Sequence, residues 1–191
     1  MSEVGHGHVD NNPTHRKVAL LIAVLALLLA LAETLAKGAQ TSALSANIEA
    51  ANLWSFFQAK TIRMTTVRTA AEAAEFDLLQ ASAESHKEAI NKRVAEWKQS
   101  ATRYDSEPET QEGRKELAAR AKVAEARRDR TLAAYHQYEI ASAAVQIAIV
   151  LASASIITGA TVLVWSSGGL GLIGLAFCLI GLFWPTAVHL F

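Results

Sequence analysis

Three stretches of this chain carry no charge: Val18–Ala32, Ile140–Val164 and Leu170–Phe183. Counted on to Ala36, the first is about 19 residues long, close to the ~20 a helix needs to cross a hydrocarbon core about 30 Å thick. Arg16-Lys17 precede it, and Glu33 and Lys37 follow. Basic residues before an apolar core, with Ala-x-Ala-like triplets, also fit a signal peptide. The run is long for that purpose and no turn-former precedes Gly38, so a retained transmembrane helix over 17–37 is expected, after a polar flexible tail at 1–16.

The second and third stretches are separated by Trp165-Ser166-Ser167-Gly168-Gly169, whose composition is that of a tight turn. Ser167 suits the cap of a following helix. A transmembrane hairpin over 140–165 and 168–191 follows, giving three spans. Trp165 and Trp184 stand where indoles favour the bilayer interface, and Pro185 falls near the end of the last helix, where a missing donor is tolerated. Gly171, Gly174, Cys178 and Gly181 recur at spacings of three, four and three, and Ala141, Ala144, Ala148, Ala152, Ser155 and Gly159 follow a similar period. Small residues on one stripe let helices approach closely in lipid, either holding the hairpin together or facing another subunit.

The remaining charge is concentrated between the spans. Residues 38–139 hold 15 Lys/Arg and 15 Asp/Glu, within a chain whose 18 basic and 18 acidic residues cancel. That balance argues against a nucleic-acid surface, and the lone Cys178 excludes a disulfide framework or a cysteine zinc site. Ile90, Val94, Trp97, Ala101 and Tyr104 follow coiled-coil spacing, as do Leu117, Ala121, Ala124, Arg128, Thr131, Tyr135 and Tyr138. Between them, Ser106 with Glu109 reads as a capping box and Pro108 as a first-turn residue, placing a hairpin turn near 105–109. The expected fold is therefore all-α, with three transmembrane helices and an extramembrane antiparallel helical hairpin over 38–139. No breaker separates Glu109 from Gly159, so the second arm should continue into the second span.

The arms are unequal. Gly38–Tyr104 would measure roughly 100 Å as straight helix and Glu109–Glu139 roughly 46 Å. The first arm must bend, fold back or lie along the membrane. Thr41–Ala59, with Glu49 its one charge and Leu53, Trp54, Phe56 and Phe57 clustered, is the segment suited to the interface or to packing under the hairpin.

Within that segment, Asn52-Leu53-Trp54-Ser55-Phe56-Phe57-Gln58-Ala59-Lys60-Thr61-Ile62-Arg63 resembles the Asn-x-Trp-x-aromatic-aromatic-Gln-Ala-Lys-Ser-Ile-Arg-like signature of a bacterial membrane-protein family known only as a domain of unknown function. The layout is similar over nearly the whole chain, and Thr61 stands where the pattern has Ser. The resemblance implies an integral protein of the bacterial inner membrane and brings no activity, substrate or catalytic residue. Physically, Asn52, Trp54, Phe56, Phe57, Gln58, Lys60 and Arg63 mix aromatic, amide and cationic groups suited to a protein contact, lipid headgroups or a small ligand.

Catalytic signatures are missing from the sequence: no phosphate loop, Gly-x-Ser-x-Gly, His-Glu-x-x-His or calcium loop. His6 and His8 sit in the tail, and His86, His136 and His189 lack a neighbouring ligand set, so neither metal nor cofactor is expected. Glu72-Glu75 and Glu84-Glu88 read as solvated helix faces. Glu33, in the last turn of its span, can snorkel with Lys37 as partner, and Gln146 can bond between helices. Basic residues near the spans, Arg16 and Lys17 against Lys37, Arg127, Arg128 and Arg130, favour a cytoplasmic middle region. The expected protein is a non-enzymatic, homo-oligomeric scaffold or interaction module that meets the lipid bilayer and, through its hairpin, a protein partner. The alternatives are an oligomeric pore lined around Glu33, Gln146 or Thr158, and a lipid-organising protein.

Overall fold

The computed structural model describes residues 13–187. All its regular elements are α-helices: α1 (Pro13–Gln80), α2 (Glu84–Asp105), α3 (Arg114–Thr158) and α4 (Thr161–Phe183). α1 starts inside the expected tail, because proline's fixed φ and missing N–H suit a first helical turn. It then runs 68 residues without another proline and with Gly38 as its one glycine. Residues 1–12 and 188–191, with His6, His8 and His189, lie outside the described residues. The chain divides into two compact units, an apolar one (residues up to 42, and 130 onward) and a charged one (43–129). α1 and α3 each contribute to both.

In the apolar unit α1, α3 and α4 pack together, and these three helices are long and apolar enough to cross a membrane. The stripe of α4 formed by Ser167, Gly171, Gly174, Cys178 and Gly181 is buried. A Cβ at Gly171 would lie 2.6 Å from Leu25 Cδ2, one at Gly174 2.5 Å from Val145 Cγ2, and one at Gly181 2.7 Å from Tyr138 Cε1. The absent side chains are what let α4 seat on α1 and α3. Ala32, Ala36, Tyr138, Ala141 and Cys178 form one cluster, and Leu25, Val145 and Ala148 another. Ala152 and Ser155 continue the buried line on α3.

The turn of this hairpin is not at 165–169. Gly159, with φ of 68°, ends α3 in the left-handed conformation that glycine adopts without strain, and α4 begins at Thr161. Gly159 is thus an exposed turn residue rather than part of the packing stripe. Trp165–Gly169 stays helical, and one of its small residues serves contact: buried Ser167 donates its Oγ to the Ala148 carbonyl at 2.8 Å, a bond between helices. The second crossing segment therefore ends at Thr158 rather than 165. The third occupies 161–183 rather than 168–191.

In the charged unit, α2 and the first part of α3 both run antiparallel to α1. Along α2, Lys98 pairs with Glu75 and the Tyr104 ring lies under Lys60; along α3, Leu117 packs with Leu53 and Arg127 pairs with Glu49. The hairpin tip is accordingly Ala81–Ala83, not 105–109, and the chain keeps its direction through 106–113. The length mismatch requires this: residues 43–80 are as many as α2 and residues 114–129 together. The capping box does not form, since Ser106 Oγ donates to Glu116 and Pro108 lies in an irregular turn. α3 runs unbroken from Arg114 to Thr158. On α1, Ala43, Ala46, Ala50, Leu53, Met64 and Ala71 are buried at heptad spacings.

Gly174→Val should lower stability by about 1–3 kcal/mol, the usual result of forcing bulk into a closed contact, seen as earlier thermal unfolding in detergent. Gly169→Ala, helical and with nothing within 4 Å, should be neutral or stabilising by up to about 1 kcal/mol.

Candidate functional site

The aromatic-cationic stretch of α1 meets the connection between α2 and α3. Helical spacing sends Leu53, Trp54, Phe57 and Lys60 inward, while Asn52, Phe56, Gln58 and Arg63 are exposed. Trp54 and Phe57 stack edge to face, 5.3 Å between centroids, over Ala50, Leu53, Leu117, Ala121 and Ala124. The indole Nε1 of Trp54 donates to Glu125 Oε1 at 2.9 Å, so the ring's polar edge keeps a partner. Lys60 Nζ stands 3.9 Å from Glu107, 3.8 Å from Glu112 and 5.6 Å from the Tyr104 ring centroid.

A second layer of bonds closes the connection itself. Arg114 donates to Asp105 Oδ1 through Nε (3.1 Å) and Nη2 (2.7 Å), and Lys115 reaches Oδ2 at 2.8 Å. Its guanidinium also lies 5.7 Å from the Phe57 centroid. Glu116 accepts from Ser106 Oγ at 2.7 Å and from the Glu107 N–H at 3.1 Å. Gly113 is buried there, and a Cβ on it would collide with the Glu116 carboxylate and the backbone of Ser106 and Glu107. Hydrogen bonds from Lys115 and then Arg114 hold the Asp105 carboxyl below its usual value, and the Ser106 hydroxyl does the same for Glu116.

The sequence reading found the α1 half of this junction and missed its partners. Gly113-Arg114-Lys115-Glu116 was the available signal, a glycine directly before a charge-dense helix start. It also missed Gln137, buried on α3 and 3.1 Å from a Cβ placed at Gly181. Gln137 continues the small-residue line of Ala141, Ala144 and Ala148 one turn earlier.

In the apolar unit, Glu33 and Gln146 are brought together: Gln146 Nε2 lies 3.5 Å from Glu33 Oε1 and 3.3 Å from Ser142 Oγ. The expected Glu33–Lys37 pair is not formed; Gln146 from the facing helix takes that place. Nearby, the Tyr135 hydroxyl donates to Glu139 at 2.6 Å, and these groups border an open groove of about 410 Å³. Thr158 lies at the far end of α3, its hydroxyl on the Ala154 carbonyl. Both groups of packing residues named from the sequence, apart from Gly159, lie on contacts within the chain.

A family model described as a domain of unknown function (DUF4337) matches residues 14–184, and the chain belongs to that family. No curated protein and no solved structure matches it.

Asp105→Asn tests the junction. Because the folded carboxyl titrates below its unfolded value of about 4, its stabilisation is complete above that pH and is lost as pH falls through the lower, folded value. At pH 7 the variant should be less stable by about 1–2 kcal/mol, the scale of a charge-assisted hydrogen bond in partly solvated surroundings. Thermal melts of the two proteins should converge on acidification below about pH 4. A difference that stays constant with pH would count against the assignment.

Proposed function

We propose that this member of the DUF4337 family is an integral protein of the bacterial inner membrane that pairs with copies of itself and acts as a scaffold or interaction module. The observation that carries this reading is a second face of α1 in the charged unit, lying nearly opposite the packed alanine seam. Leu44, Ile48, Ala51, Ser55, Ala59, Ile62, Thr66, Thr69, Ala73 and Phe76 follow one another every three or four residues without a charge. Four of them are large and exposed, Leu44 at 59%, Ile48 at 52%, Ile62 at 67% and Phe76 at 63%.

The hydroxyls on and beside this face are turned into the helix. Ser55 donates to Ala51, Thr65 to Thr61 and Thr66 to Ile62, each to a carbonyl 2.9 Å away. What these residues present outward is correspondingly apolar. A second copy fits such a face because an uncharged stripe meets its own image without like-charge repulsion, as an isologous two-fold contact requires. Copies inserted in the same sense hold their α1 helices parallel, so identical residues face each other. Burying four large side chains gives roughly 4–8 kcal/mol per protomer, modest against the cost of association. Confinement to a membrane raises the effective concentration and lessens that cost. The small-residue stripes of α3 and α4 are occupied within the chain and contribute nothing to this pairing. A pore lined by Glu33, Gln146 and Thr158 has weaker support, since only the first two of these residues meet.

In membranes, Ile62→Cys in a Cys178→Ser background should form a disulfide-linked dimer under mild oxidant, as should Phe76→Cys, while Lys92→Cys on α2 should not. Failure of all the α1 positions to cross-link would remove the reading.

We place the charged unit on the cytoplasmic side because Lys37, Arg127, Arg128 and Arg130 outnumber Arg16 and Lys17 near the crossing segments. An impermeant maleimide should then label Glu109→Cys, an exposed position, in inverted vesicles and not in intact cells. The opposite pattern reverses the orientation.

A further inference from the structure

Beside the Trp54–Phe57 cluster, α1 and α3 border a groove of about 410 Å³ in the charged unit. Its apolar lining is Leu53, Phe56, Ala59 and Leu117, and its charged lining is Lys60, Arg63, Arg120 and Glu112. The charges do not cancel. Lys60 lies 3.8 Å from Glu112 and 3.9 Å from Glu107, so its charge is answered inside the fold. Arg120 donates Nη1 to the Gln111 carbonyl at 3.2 Å, a neutral acceptor that fixes the guanidinium and leaves its charge uncompensated. Arg63 has no hydrogen-bond or ion-pair partner among the described residues. Two guanidinium groups, one from each helix, therefore line an apolar groove whose one acid is already paired.

We propose that this groove binds a small amphipathic anion. Its carboxylate, phosphate or sulfonate head lies between Arg63 and Arg120, and its aryl or alkyl body lies against Leu53, Phe56 and Leu117. The volume falls within the ~300–1,000 Å³ usual for small-molecule sites, which likewise combine apolar walls with a few placed polar groups. Guanidinium is the side chain whose planar donor fork matches an oxyanion in two-point fashion. Phe56, 62% exposed yet part of the wall, is an aromatic surface on which a ring or chain gains burial. The groove is bordered by α1 and α3 and shares Ala59 with the uncharged face of α1, but ligand binding in it does not require self-association. Such an anion has two sources, a free organic acid or the head of an anionic lipid.

The test is titration calorimetry on the full chain in phosphatidylcholine nanodiscs, with empty nanodiscs as the blank. The probes are 4-phenylbutyrate, 4-phenylbutanol and 4-phenylbutylamine, which share a body and differ in charge. Phenylbutyrate should bind to the protein in excess of the blank and the other two should not. Arg63→Gln/Arg120→Gln should weaken it about tenfold or more, the scale of losing a charge-assisted bond. Arg63→Gln alone, which breaks no contact in the fold, should weaken it in the same direction if the double variant does not fold. Equal binding of the three probes, binding no greater than the blank, or unchanged affinity in Arg63→Gln would overturn the proposal. Within a positive result, nanodiscs containing phosphatidylglycerol separate the sources. Phenylbutyrate affinity that falls in the native chain more than in Arg63→Gln identifies the lipid head as the occupant, and equal falls identify a free acid.

Discussion

The constraint on which the rest of this structure depends is the uninterrupted length of α1. With no proline after Pro13 and helix kept through Gly38, its one glycine, α1 cannot turn back by itself. Everything that stabilises the chain has to be brought to it. In the apolar unit α3 and α4 come close enough because they present alanine, glycine and serine where the backbones approach. In the charged unit two shorter helical segments, α2 and the start of α3, share the same stretch of α1. The result is a seam dominated by alanine, which contributes little area per residue and so depends on many repeats in register.

That arrangement makes the α2–α3 connection the delicate point of the charged unit. Two helices laid end to end expose the last carbonyls of one and the first N–H groups of the next. The sequence handles these with charge rather than with a conventional cap. Asp105 closes the end of α2 with Arg114 and Lys115, and Glu116 reaches back to Ser106 and the Glu107 N–H. Gly113 leaves room for that carboxylate. Trp54, Phe57 and Lys60 then tie the closed connection to α1, which gives the aromatic-cationic stretch a structural role before any other.

Much of this was legible in the residues, and the misreadings share a cause. The three apolar runs announced three long helices, and the spacing from Ile90 to Tyr104 announced the α2 seam, with Val94 and Ala101 buried. The two turns were misplaced because Gly, Ser and Pro carry different meanings in different settings. Ser166-Ser167-Gly168-Gly169 looks like a loop in water, yet inside an apolar helix these residues stay helical, and Ser167 becomes a buried bonding group between helices. Ser106-Glu107-Pro108-Glu109 has the letters of a capping box, but Ser106 is held by Glu116, a partner ten residues on. Conversely, the Ala81–Ala83 tip carries no glycine or proline at all. The unequal arm lengths indicated only that the first arm must bend, fold back or lie along the membrane, and the segment singled out for this was Thr41–Ala59 rather than the tip.

The outer face of α1 cannot be explained by helix formation alone. An exposed helical position in a region holding 30 charged residues is most cheaply filled by Glu, Lys, Gln or Ala. Ile, Thr and Phe each cost a few tenths of a kcal/mol in propensity. Yet Ile48, Ile62, Thr66, Thr69 and Phe76 occupy such positions in sequence, and Lys and Glu are kept to the flanks. The fold gains nothing from that choice, since the packed seam lies on the other side of the helix. Where local preference and solubility are both set against what is present, the pairing proposed above supplies a reason that the fold of the single chain does not. Alanine toward the fold, charge on the flanks and β-branched or aromatic groups outward is the composition that a helix packed on both sides would carry, and the fold of the single chain accounts for one of those sides.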